Sequence, residues 1–434
     1  MDADSIVLRG RLVTPDEVVE RGWVALGAGA VVDLGDGPGP AGRPEVDLGE
    51  LIVAPGLVDL HVHGGGGGQA GGAGAAEVRA GVVRLARYHA THGTTCLLAA
   101  TVADTPVRLA VAVAGIASAM ATADPGAAAV AGAHLEGPWL APSRRGAHAP
   151  ECLRPPDPDE LARLLGAAPG VVRLLTAAPE LDGFAGLLAT AVAGGVVVSV
   201  GHTDATYEQV VAAFDAGARH VTHLGNAMPP LDRRRPGPLA AALGDPRPTL
   251  EVIADGEHVH PGLLALVGAV APDRLVAVTD AVAATGLADG VHRLGGLEVT
   301  VRDGRVSLRD DPGTLAGSVL TMDRAVANLV GAGLPLTVAL RAATATPAGV
   351  LGAGRDGRVR GVLRAGAAAD VVVLDEGLAA VATVVAGRVV HDPGALLAGV
   401  GGAAGPPAGR RPSGTGPPGP VGPAGPRPDA PGPA

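Results

Sequence analysis

The chain has no lysine. All 33 basic residues among its 434 are arginine, and that absence excludes two chemistries at once: no side-chain amine can form a Schiff base, and no carboxylated lysine can bridge two metal ions. Aromatic residues are nearly as scarce, two each of Trp, Tyr and Phe, so a core must be assembled from Ala, Val and Leu, which suits close packing of helices on a sheet. The two cysteines, Cys96 and Cys152, make no disulfide framework and fit a reducing compartment. No apolar run is long enough for a bilayer; the Ala-rich stretch 109–123 is too short and too weakly hydrophobic. The start, Met1-Asp2-Ala3-Asp4, has neither the positive charge nor the apolar region of a signal peptide. Positive charge is in deficit overall, and a net charge of −10 argues against nucleic acid or an anionic membrane as partner. The cytoplasm is the expected compartment.

What is present is apolar and ordered. At 47% hydrophobic residues the chain is long enough to bury a large domain and a small one. Residues 5–34 alternate short apolar runs with turns, and the runs at 370–374 and 383–390 have the same character, so one β-sandwich built from both ends is expected. The expected boundaries are 1–53 and 351–397 for the two parts of the sandwich and 54–350 for the domain between them. The last stretch, 398–434, is Pro, Gly, Ala and Arg without apolar periodicity; it buries too little to offset ordering entropy and is expected to be disordered.

Between the ends, apolar runs alternate with Ala/Leu-rich helical stretches, the pattern of a parallel α/β fold. Strands are expected at 52–63, 94–101, 130–136, 172–178, 196–202, 220–223, 250–254 and 275–280. Eight β/α units in one block fit a TIM (β/α)8 barrel, with a doubly wound sheet as the rival. The positions of the polar residues favour the barrel. His61 and His63 end the first strand, two apart and so on one face. Glu136 ends the third, His202 the fifth, His223 the sixth and Asp280 the eighth. Any one of these alone is a polar residue where a strand becomes a loop. Together they are metal-ligand types gathered at the strand ends, where a barrel forms its mouth. His134 lies on the Glu136 face and reads as structural.

These stretches carry a resemblance. Residues 55–64 (PGLVDLHVHG) are similar to the start of the amidohydrolase superfamily, metal-dependent hydrolases on a TIM barrel with a flanking β-sandwich. Residues 134–140 (HLEGPWL), 145–148 (RGAH), 201–205 (GHTDA), 222–228 (THLGNAM), 253–259 (IADGEHV), 279–281 (TDA) and 315–318 (LAGS) resemble, in order, the N-acetylglucosamine-6-phosphate deacetylase family within it. The resemblance implies that Glu136, His202 and His223 hold a divalent metal, and that His61 and His63 complete a second position. One or two ions are implied, zinc first, with iron, manganese or cobalt as alternatives. Asp280 matches the catalytic acid/base. Ala147, His148, Asn226, Ala227, Arg234, Asp255, His258, Leu315, Ala316 and Gly317 match substrate-binding positions. Arg235 stands where many relatives have Glu, so the phosphate ligand is one of Arg233 to Arg235, with Arg234 the match. The resemblance also implies a homodimer, with Arg234 or His258 reaching into a neighbouring site, and a small amino-sugar phosphate as the partner molecule.

The chemistry is coherent by itself. A divalent metal lowers the pKa of a bound water and polarises a carbonyl, the two needs of amide hydrolysis. Asp280 is suited to take that water's proton and pass it to the departing amine, and His148 or His258 to steady the oxyanion. In a chain without lysine a carboxylate must join two ions, and Glu136 is placed for it. The expected reaction is deacetylation of N-acetylglucosamine 6-phosphate to glucosamine 6-phosphate and acetate. The galactosamine epimer is the first alternative, an N-acyl-amino-acid or cyclic-amide hydrolase the second, and a non-catalytic barrel the third.

Overall fold

Eight short apolar runs become eight parallel strands hydrogen-bonded in chain order. The computed structural model describes residues 6–14, 17–122 and 124–398; the segment expected to be disordered lies, except for Ala398, outside the described residues. The strands are Leu57–Val62, Thr94–Thr101, Ala129–Glu136, Val172–Ala177, Val197–Val200, His220–Val221, Thr249–Ile253 and Leu275–Val278. A doubly wound sheet would reverse its strand order at a switch point, whereas here the order runs unbroken from first to eighth and then returns. The Asp280 N–H donates to the His61 carbonyl at 2.9 Å, Ala281 bridges Val62 in parallel, and Asp59 accepts the Thr279 hydroxyl at 2.6 Å. These contacts form a seam between the first and eighth strands.

A helix follows each strand, and the loop residues set where it starts. Thr105 accepts the Arg108 N–H ahead of Pro106–Ala121. Asp157 accepts those of Asp159 and Glu160 ahead of Pro158–Ala167. Thr206 and Gln209 cap each other ahead of Tyr207–Ala216. With so few aromatics, the core between helices and barrel is Val, Leu and Ala, with Trp139 and Phe214 its largest fully buried members.

The first expected strand is in fact two. Glu45–Pro55 pairs in parallel with Ile6–Val13 and antiparallel with Val371–Leu374, and only Leu57–Val62 enters the barrel. Pro55 lacks a donor, and a Cβ on Gly56 would lie 2.2 Å from the Thr95 hydroxyl oxygen, so the chain turns from one sheet into the other at this dipeptide. The two chain ends form one seven-stranded sheet, in the order Arg388–His391, Ala380–Val385, Val371–Leu374, Glu45–Pro55, Ile6–Val13, Val18–Gly27, Ala30–Asp36. Val31 donates to Ala367 and Ala369 to Gly29, so the sheet curls back on itself around Leu8, Val24, Val53, Val373 and Val384. The two layers expected of a sandwich are thus halves of one curled sheet.

One element was not foreseen. Between the eighth strand and the helix Met322–Gly331, the chain makes a three-stranded antiparallel flap, Gly290–Leu294, Leu297–Arg302 and Arg305–Leu308. Val299, Val301, Val306 and Leu308 give it an apolar face, packed on Val282, Ala316 and Val102. The signals were present in the alternation of those residues and in the turn residues Gly295-Gly296 and Asp303-Gly304.

Candidate metal and substrate site

The ligand-type residues converge at the C-terminal mouth of the barrel, and several sit in backbone that side chains normally avoid. His202 has φ 49°, His223 28°, Asp280 49° and Ala227 50°. Left-handed residues other than glycine cost about 1–3 kcal/mol each and persist where the surroundings fix them. Part of the fixing comes from Gly317, whose own φ is 66° and where a Cβ would lie 2.7 Å from the Asp280 carbonyl.

Hydrogen bonds at the outer ring nitrogens set the tautomers. The Nδ1–H of His61 donates to Glu251 at 2.8 Å, that of His63 to the Ala100 carbonyl at 3.1 Å, and that of His202 to the Arg144 carbonyl at 2.8 Å. Each therefore turns an Nε2 lone pair inward. His148 is the opposite case: its Nδ1 accepts the Ala103 N–H at 3.0 Å, so its Nε2 carries hydrogen and donates to Glu136 Oε2 at 3.2 Å. The Nδ1 of His223 has no partner among the described residues.

Inside this ring the acceptors crowd. His202 Nε2 and His223 Nε2 lie 3.1 Å apart, and each is 3.1 Å from Glu136 Oε1. His61 Nε2 and His63 Nε2 also lie 3.1 Å apart, with Asp280 Oδ1 at 3.5 and 3.2 Å and Glu136 Oε2 3.2 Å from His63. A tetrahedral site with bonds near 2.0–2.1 Å spaces its ligands by about 3.3 Å, so facing lone pairs at this distance suit a cation between them. Glu136, with an oxygen toward each pair, is placed to serve both. Ligand atoms of Glu136, His148 and His202 also fall within 4.8 Å of one another, but the proton on His148 Nε2 makes that ring a donor, and His223 the better third member.

Burial and the two carboxylates act in opposite directions on these rings. Burial holds His202 down to about 4 despite Glu136 beside it, which keeps the ring neutral as a ligand. His63 is raised to about 9: burial opposes its charge, but Asp280 and Glu136 outweigh burial. Burial would raise Glu136, yet the imidazoles of His61, His148 and His202 hold it well below the usual carboxylate range. Two buried carboxylates thus draw positive charge into the mouth of the barrel.

Above this floor opens a cavity of about 360 Å³. Of the expected substrate residues, Ala147, His148, Asn226, Ala227, His258, Leu315 and Gly317 line it. Asp255 supports the wall, accepting the His258 Nδ1–H at 2.7 Å and its backbone N–H at 2.9 Å. Ala316 is fully buried behind the wall and donates to Val306 at 3.2 Å. Arg234 is exposed and outside the cavity, its backbone N–H bound to Asp232 at 2.8 Å.

The site includes residues that the sequence analysis did not single out. Glu251 is fully buried and joins His61, His220 at 3.0 Å and the His223 N–H at 3.1 Å. Glu180 accepts the Asp204 N–H at 2.6 Å and a short bond of 2.5 Å from Thr203, which fixes the turn after His202. A lone carboxylate inside the apolar run 250–254 was the available signal for Glu251; Glu180, in a loop, had none.

The amidohydrolase family model matches residues 52–390. An N-acetylgalactosamine-6-phosphate deacetylase of Escherichia coli O157:H7 is 37% identical over 380 residues, covering 86% of this chain and 96% of the relative. The N-acetylglucosamine-6-phosphate deacetylase of Bacillus subtilis (strain 168) is 35% identical over 328 residues, 74% of this chain and 81% of its own. Among solved structures, a mutant of N-acetyl-D-glucosamine-6-phosphate deacetylase from Mycobacterium smegmatis, in complex with N-acetyl-D-glucosamine-6-phosphate, superposes with a TM-score of 0.83 at 41% identity, over 89% of this chain and all of that one.

Proposed function

The chain belongs to the amidohydrolase family, and from that premise we propose the site roles that go with its reaction, the metal-dependent hydrolysis of N-acetyl-D-glucosamine 6-phosphate to D-glucosamine 6-phosphate and acetate. The observation that carries the reading is Glu136, buried between two pairs of inward-facing imidazoles with Asp280 beside one of them. Glu136, His202 and His223 hold one divalent cation, and His61 with His63 offers a second place. The nitrogen and oxygen donors suit zinc, with iron, manganese or cobalt as substitutes. When bound, the cation supplies a Lewis acid for the acyl oxygen and a water of lowered pKa.

The remaining work falls to side chains. Asp280 accepts the proton of the attacking water and returns it to the amine as the C–N bond breaks. His148, its Nε2–H fixed by the Ala103 N–H, donates to the oxygen that gains charge. His258, held by Asp255, lines the cavity and orients the sugar, together with Asn226 and the backbone at Ala227, Leu315 and Gly317. Arg234 serves the phosphate, and its exposed position supports service to a second subunit of a homodimer. A cytoplasmic location is supported by the two unpaired cysteines. No helix among the described residues is long and apolar enough to cross a membrane.

The test is acetate release from phosphorylated and unphosphorylated N-acetyl hexosamines, with defined metals added back to stripped protein. Release from N-acetylglucosamine 6-phosphate that depends on metal is the expected result; none from any phosphorylated sugar overturns the reading. The relative that is an N-acetylgalactosamine-6-phosphate deacetylase favours the epimer as second reading. It holds if kcat/KM for N-acetylgalactosamine 6-phosphate is the larger.

A further inference from the structure

Beside the substrate cavity lies a second chamber of about 320 Å³. His63, Val102 and Leu294 line both, so an imidazole at the edge of the metal site is also a wall of this chamber. Its lining mixes small apolar side chains, Ala70, Ala100 and Ala112 among them, with polar and charged ones. Two groups there have no assigned role. Thr101, only 4% exposed, carries a hydroxyl with no hydrogen-bond partner among the described residues. Arg293 lines the chamber, is exposed, and pairs with no acid among the described residues. Three more charged side chains line the chamber and are engaged: Asp104 accepts from Arg108 at 2.9 Å, and Glu77 accepts the Ala73 N–H at 2.9 Å.

Small apolar side chains beside a free hydroxyl and an unpaired guanidinium match a methyl joined to a carboxylate. We propose that it binds a short carboxylate and is the route by which acetate leaves. The proposal rests on the deacetylase reading, in which the acyl group reacts at the floor of the substrate cavity, over Glu136 and Asp280, with the sugar phosphate above it. Acetate formed there is capped by the amine product, and a passage beside His63 releases it whichever product goes first.

The experiment uses the zinc-loaded full chain and fluoroacetate, followed by 19F line broadening with and without saturating glucosamine 6-phosphate. Fluoroacetate binds in both conditions. Thr101→Val and Arg293→Gln each weaken it by about three- to tenfold, the worth of one hydrogen bond. Gly71→Trp, at a chamber position with no heavy atom within 4 Å of an added Cβ, removes it. In turnover, acetate inhibits the wild type noncompetitively against substrate, and that component disappears in Gly71→Trp. Displacement of fluoroacetate by glucosamine 6-phosphate, or wild-type binding in all three variants, overturns the proposal and leaves the deacetylase reading standing. If the wild type releases no acetate from its substrate but the variants still weaken fluoroacetate in this pattern, the deacetylase reading fails and the carboxylate site stands.

Discussion

At the scale of single residues, the proposed roles separate holding a cation from moving a proton. Glu136 touches four imidazoles at 3.1–3.2 Å, and no lysine exists to replace it. Glu136→Ala should lose bound metal and all measurable turnover; full metal content with normal turnover, read by elemental analysis and acetate release, would refute the assignment. Asp280→Asn keeps size and hydrogen bonding but cannot take a proton. Its kcat should fall by about 10²–10⁴ while substrate still binds, and a loss of only a few-fold refutes Asp280 as the base. These residues were legible because each is a metal-ligand type at the tip of an apolar strand. Glu251 was not, because a buried carboxylate one ring away from the ligands looks, in sequence, like any polar interruption of a strand. Only the fold reveals that it joins His61 and His220, which are far apart in the chain.

At the scale of elements, the helix Ala75–Ala90 is tied to the glycine loop after the His-x-His pair. His89, fully buried, donates to the Gly64 carbonyl at 2.9 Å. Burial lowers it from the usual 6.5 to about 4, with the Gly64 bond opposing, His92 adding to the effect and Asp323 countering it. Between pH 6.5 and about 4 the unfolded chain therefore binds a proton that the folded chain refuses. Stability from this residue is complete above pH 6.5 and is lost as pH falls through that window, by up to about 3 kcal/mol. Denaturation midpoints measured from pH 7 to 4.5 should drop more steeply for the wild type than for His89→Gln; equal slopes would show that His89 titrates normally. The eight β/α units were readable because each strand lies in a mostly apolar run and each helix in a separate Ala/Leu stretch. The flap has its own strand and turn signals, but three antiparallel strands inserted after the eighth strand break the β/α alternation that identified the rest. The division at Pro55-Gly56 was not readable, because two strands of different sheets run on there as one apolar segment.

At the scale of the whole molecule, Arg234 stands outside the cavity of its own chain, so the phosphate contact proposed for it is a proposal about assembly. If Arg234 serves a neighbour, Arg234→Ala and Asp280→Asn are each deficient alone but complementary when mixed. In a mixed dimer, the subunit carrying Arg234→Ala keeps its own Asp280 and receives an intact arginine from its partner. Mixing after subunit exchange should recover part of the wild-type kcat/KM for the phosphorylated substrate. No recovery, together with an unchanged preference for phosphorylated over unphosphorylated sugar in Arg234→Ala, would make Arg234 a surface residue.

The seam between the first and eighth strands has a consequence in time. Asp59 and Thr279 are 220 residues apart, and contacts so distant in the chain are slow to form because the intervening loop must close first. The same strand tips carry His61, His63 and Asp280. A refolding chain can then possess most of its helices and strands while its candidate catalytic centre is still in two halves. On refolding from denaturant, far-ultraviolet signal should return before acetate release does, and the lag between them measures the closing of the barrel.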